Sequence, residues 1–107
     1  MLEVAFRRVK EGEVGRLRAW MAELNRRGDE VRETFRQETV RHERAWLLQG
    51  ADAPSLVYAI EAEDLELGHR VARESTLPID VEHRRLMAEV LEGPADVEPL
   101  YECTLED

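Results

Sequence analysis

The chain opens on an alternation. Leu2, Val4 and Phe6 fall on one side and Glu3, Ala5 and Arg7 on the other, the period-two pattern of a half-buried strand. From Gly12 and Glu13 the period changes to that of an amphipathic helix. Val14, Leu17, Met21 and Leu24 recur at three- and four-residue steps, and Val31 and Phe35 continue the stripe beyond Gly28. Charge pairs such as Glu23–Arg27 and Arg26–Glu30 occupy the opposite side at i,i+4 spacing. Unbroken to Gln37, this helix would be about 39 Å long. That overhangs the preceding strand, so a break is expected near Gly28-Asp29.

A second strand is expected from Arg41 to Leu48 and a third from Ser55 to Glu61, joined as a hairpin by a turn over Gln49–Pro54. The next helical region divides into Asp64–Glu74 and Asp80–Glu92 around Ser75–Pro78, with Asp80 as cap and Gly93-Pro94 as stop. A last strand is expected over Pro99–Leu105. No repeat or low-complexity linker interrupts the order β-α-β-β-α-β. That order predicts an α+β, ferredoxin-like plait forming one domain over residues 1–107. Its antiparallel four-stranded sheet would run fourth-first-third-second, with the helices on one face and the first strand beside the third and parallel to it.

Composition narrows the function classes. The chain has 107 residues, 43% hydrophobic and 36% charged, enough for one core without metal or disulfide support. A formal net charge of −9 repels phosphate backbones and anionic lipid, so no nucleic-acid or membrane partner is expected. The longest strictly apolar run, Leu56–Ile60, is too short to span a bilayer, and Met1-Leu2-Glu3 does not open a secretory signal. A cytoplasmic location is expected. Cys103, the single cysteine, excludes an internal disulfide and any CxxC site.

Strand parity then separates two sets of residues. Leu2, Val4, Phe6, Trp46, Leu48, Leu56, Tyr58, Ile60, Tyr101, Cys103 and Leu105 form an apolar set, expected against the helices, with Cys103 a small buried hydrophobe. Glu3, Ala5, Arg7, Glu43, Ala45, Leu47, Val57, Ala59, Glu61, Leu100, Glu102 and Thr104 form the other, small in the middle and charged around the ends. Matching the hairpin by parity places Ala45 opposite Ala59 and Glu43 opposite Glu61, with Arg7 near the same end. Two opposed carboxyls can share a proton, which raises one pKa and makes an acid/base pair. Glu43 and Glu61 are therefore the candidate catalytic residues, with Arg7 orienting the substrate or tuning them. Glu3, Glu102, Arg41 and His42 are the candidate ligand-binding residues. The plainer account of this face is a wet or subunit-covered surface.

The remaining candidates carry less chemistry. His42, His69 and His83 lack HxxxH or HExxH spacing, so no metal site is expected. His69 is expected in solvent, and His83 in a neutral or local capping role. Trp20, Trp46, Tyr58 and Tyr101 read as core or interface. No phosphate loop, nucleophile elbow or catalytic triad pattern occurs, and no cofactor is expected.

The βαββαβ plan resembles the dimeric α+β barrel superfamily, which includes cofactor-free monooxygenases and L-rhamnose mutarotase. Ala19–Leu24, Pro78–Ala88 and Val97–Tyr101 are similar to an uncharacterised actinobacterial-type family of small proteins in that superfamily. The Met87-Ala88 helix leading to a last strand distantly resembles the mutarotase, without transferring any catalytic residue. The resemblance implies a homodimer packed through the sheet face. The expectation is a homodimer that binds a small polar ligand, with cofactor-independent acid/base chemistry of the mutarotase or isomerase kind. The alternative is a non-enzymatic dimeric interaction module.

Overall fold

The computed structural model describes residues 1–50 and 53–105, so part of the expected Gln49–Pro54 turn lies outside the described residues. The elements are β1 (Leu2–Val9), α1 (Val14–Arg26), α2 (Gly28–Glu38), β2 (Val40–Leu48), β3 (Ser55–Ala62), α3 (Leu65–Glu74), α4 (Pro78–Val90) and β4 (Leu91–Pro94). The helices cover one face of an antiparallel α+β sheet in the order β2-β3-β1-β4.

The first helical region breaks where glycine weakens it. α1 ends at Arg26, Arg27 caps it, and α2 begins at Gly28. Thr39 closes α2 in the left-handed region, at φ 60° and ψ 18°. Its hydroxyl accepts from Asp64 N at 3.0 Å, which offsets the strain of a β-branched residue there. Asp64 in turn caps α3, accepting from Leu67 N at 3.0 Å. The expected cap at Asp80 is not formed. Leu77 precedes α4, Pro78 begins it, and Asp80 lies in its first turn.

Three expectations about the sheet are corrected. β1 runs antiparallel to β3, not parallel: Leu2 pairs with Glu61 and Arg7 with Leu56. The two-helix crossover returns the chain to run β2 parallel with β1, so β3, hairpin-linked to β2, opposes both. The hairpin register differs by one residue from the parity match. Glu43 pairs with Ile60, Ala45 with Tyr58 and Arg44 with Ala59. The last strand is β4 at Leu91–Pro94, directly after α4, so Gly93-Pro94 sits in a strand and is not the helix stop. Residues 95–105 carry no regular secondary structure and are mostly exposed, Cys103 included.

These corrections exchange the two faces on β1. Glu3, Ala5 and Arg7 share the helix side with Leu56, Tyr58 and Ile60, while Leu2, Val4 and Phe6 lie with Val57, Ala59 and Glu61 on the uncovered side. The pairing steps from Val40–Ala62 to His42–Glu61, so two residues of β2 oppose one of β3. This bulge at Arg41 reverses the parity of β2 and turns Glu43 towards the helices. Val9, Leu17, Leu56, Val90 and Leu91 form the packed core at one end of the sheet. Burying such a side chain stabilises the fold by about 1.5–3 kcal/mol. Towards the other end, helices and sheet separate.

Candidate functional site

That separation encloses a cavity of about 330 Å³ between the sheet and helices α2, α3 and α4, with Leu24 of α1 at its wall. Leu24, Val31, Phe35, Ile60, Ile79 and Met87 give it mainly apolar walls. Its polar groups gather on Glu38, Glu43, Tyr58, Asp80 and His83. Each comes from a different local cause. The β2 bulge aims Glu43, while Tyr58, opposite Ala45, is its diagonal neighbour on the same face of β3. Glu38 is the last residue of α2, and Asp80 and His83 follow each other by three residues on one face of α4. Gly68 lets α3 approach the end of α2, since a Cβ there would stand 2.7 Å from the Glu38 carbonyl oxygen.

Tyr58 donates its hydroxyl to Glu43 Oε1 at 2.8 Å. Burial raises the Glu43 carboxyl above its ordinary range, against the lowering effect of that hydrogen bond. The bond and the neighbouring charge add to burial in holding the Tyr58 hydroxyl protonated. Glu38 is 9% exposed, and no side-chain hydrogen bond or ion pair reaches it among the described residues. Burial, reinforced by Asp80 and Glu43, pushes its pKa up to about 7. A carboxylate at a helix C-terminus also faces the negative end of the helix dipole. Asp80 Oδ2 is buried without a hydrogen-bond partner. Trp20 Nε1–H donates to His83 Nδ1 at 2.8 Å, and burial lowers the His83 pKa. The nearby arginines do not neutralise these acids. Arg7 donates to the Glu92 carbonyl at 2.9 and 3.0 Å, and Arg84 to the Ala72 carbonyl at 2.7 Å.

The residues singled out from sequence separate into two groups. Glu43, Arg7 and Glu3 line the cavity, with the Glu3 carboxylate 3.0 Å from His69 Nε2 near the exposed edge. Glu61 does not meet Glu43. It lies across the sheet, paired at 2.9 Å with the Met1 ammonium, and Arg7 is at the far end of β1 from it. Arg41 is exposed and bonded to Glu63, His42 is exposed on β2, and Glu102 is exposed in the tail. The sequence pattern alone does not single out Glu38, Asp80, His83 and Trp20 as ligand-site residues. Their signal is faint: a glutamate ending an amphipathic helix, and an Asp-x-x-His step opening another. Among the described residues no group of three or more His, Cys, Asp or Glu is arranged to hold a metal ion, and no helix is long and apolar enough to cross a membrane.

Fold and site together define an α+β plait with a semi-enclosed, acid-lined cavity beneath its helices. The chain belongs to a family of unknown function, DUF6176, whose model matches residues 2–106. No curated protein matches it. Among solved structures it is similar to tetracenomycin F2 cyclase from Streptomyces glaucescens, a type-II polyketide cyclase, at 19% identity over 99% of both chains with a TM-score of 0.58. At that identity the likeness establishes the fold alone.

Proposed function

We propose that the chain is a homodimeric small-molecule-binding protein that carries out cofactor-independent proton transfer in the helix-side cavity. The observation that carries this reading is the convergence of Glu38, Glu43, Tyr58, Asp80 and His83 on one apolar-walled space. Desolvated carboxyls with shifted pKa values in a cleft are the arrangement that acid/base sites use. Glu38, near 7, takes and returns the proton; Glu43, oriented by Tyr58, holds the second carboxyl beside it. Arg7 and Glu3 contribute to ligand binding from β1. The apolar walls favour a ligand with a mainly hydrocarbon body over a sugar, whose hydroxyls would lose water without finding partners. The likeness to a polyketide cyclase supports a small organic ligand of that kind.

Dimerisation is drawn from the other face. Leu2, Val4, Trp46 and Leu48 are exposed there, and the plait supplies no second layer over them. Glu61, His42, Arg41 and the tail with Glu102 belong to the dimer surface in this reading. The same face favours a second reading, an assembly module whose cavity binds nothing.

A thermal-shift screen of small ketones, phenols and sugars separates the two. A ligand at 100 times its Kd adds about 2.7 kcal/mol to the folded state, on the order of ten degrees in Tm for a domain of this size. The proposal expects such a shift with an apolar-bodied ligand, reduced by Glu43→Gln and unaffected by Glu61→Gln. Equal shifts in both variants, or none with any compound, favour the assembly module.

A further inference from the structure

Trp20 determines what His83 can offer a ligand. The indole N–H is a donor only, so His83 Nδ1 in the 2.8 Å bond is an unprotonated acceptor. A neutral imidazole with a bare Nδ1 carries its proton on Nε2. His83 lines the cavity, and its Nε2 has no hydrogen-bond partner among the described residues. Protonating the ring would place a second hydrogen on Nδ1 against the indole N–H.

We propose that His83 Nε2–H is a neutral hydrogen-bond donor to a carbonyl oxygen of the ligand, with Trp20 as its positioning residue, and that the ligand is an enolisable ketone or aldehyde with an apolar body. This rests on the reading that the helix-side cavity is the ligand site. A neutral imidazole N–H can polarise a carbonyl without carrying full charge into an apolar site. Burial acts in the same direction by disfavouring the imidazolium, while Asp80 on the same helix opposes it. The other titratable and charged groups that line the cavity are Glu3, Arg7, Glu43 and Tyr58 on the sheet, Glu38 at the end of α2, His69 on α3 and Arg84 on α4.

The chemistry balances without an external oxidant or reductant. The Glu38 carboxylate takes a proton from the carbon beside the carbonyl. The C–H pair becomes a C=C bond, and the carbonyl π pair moves to oxygen, where His83 Nε2–H holds the enolate. Return of the proton from Glu38 to the same or a conjugated carbon regenerates the carboxylate and completes an exchange or isomerisation.

The test uses 2-tetralone, with its hydrocarbon analogue tetralin and 2-aminotetralin as controls. The inference expects 2-tetralone to bind about tenfold more tightly than tetralin, the worth of one buried hydrogen bond. That preference should vanish in His83→Leu and return in His83→Gln, which restores an N–H. Proton NMR in deuterium oxide should show exchange at the carbons beside the carbonyl, lost in Glu38→Gln. Long-range 15N–1H spectra of the free protein should show His83 as the Nε2–H tautomer, becoming mixed in Trp20→Phe. Equal binding of 2-tetralone and tetralin, tightest binding of 2-aminotetralin, or an Nδ1–H tautomer in the wild type overturns the inference. Failure of all three probes to bind overturns the cavity reading itself, whereas equal binding leaves that reading standing without the carbonyl.

Discussion

Replacing Glu38 by glutamine should stabilise the protein, and only above the acidic range. The folded-state pKa of Glu38 is about 7 against an ordinary value of 4.5. Folding therefore favours the protonated form, and the contribution is fully present below pH 4.5. It is lost as pH rises towards 7 and stays lost above it. That rise corresponds to about 3 kcal/mol of folding free energy. Glu38 borders the half-open cavity, so water there makes this figure an upper bound. Glutamine has the shape of the protonated acid and never ionises. Glu38→Gln should match the wild type near pH 4 and exceed it by up to about 3 kcal/mol at pH 8. At roughly 4 °C per kcal/mol that is about 12 °C in Tm. Calorimetry of both proteins from pH 4 to pH 9, at one protein concentration and fixed ionic strength, reads the curve directly. A difference independent of pH, or a variant that loses stability as pH rises, would refute the account of Glu38 as a desolvated acid without a counter-ion.

Two further substitutions probe the frame around the site. Gly68→Ala should lower stability by about 1–3 kcal/mol in urea denaturation, despite alanine's better helix propensity, because its Cβ meets the Glu38 carbonyl; an unchanged midpoint would contradict that close approach. Trp46→Glu combined with Leu48→Glu should convert a dimer to a monomer by light scattering without altering the far-UV spectrum, since both side chains are exposed on the uncovered face. A dimer that survives both charges has its interface elsewhere.

The first three strands and the helices were legible in the sequence because hydrophobic periodicity reports them directly. The break at Gly28 and the hairpin limits followed from glycine, proline and alternation. The site was legible only in part, and the reason is one residue of register. Parity counted by hydrophobicity puts Trp46 and Leu48, the large apolar residues of β2, on the helix side, yet both are exposed on the uncovered face. From His42 to Leu48 the pairing is regular but one residue off that match, which places Glu43 on the helix side and separates it from Glu61. The strong alternation of Tyr101, Cys103 and Leu105 also misled, since α4 passes straight into β4 and leaves those side chains exposed. The polar group that assembles the cavity is non-local. Trp20 meets His83 across 63 positions, and Glu38 meets Asp80 through the packing of α2 on α4. Spacing along one chain does not encode such meetings.

The central claim is that the ligand site lies beneath the helices and not on the open sheet. Methyl-labelled protein with 2-tetralone, read by intermolecular NOEs, tests it most directly. The account predicts contacts to the methyl groups of Val31, Ile60, Ile79 and Met87, which line the cavity. Contacts confined to Leu2, Val4, Val57 and Leu48 on the uncovered face would contradict it.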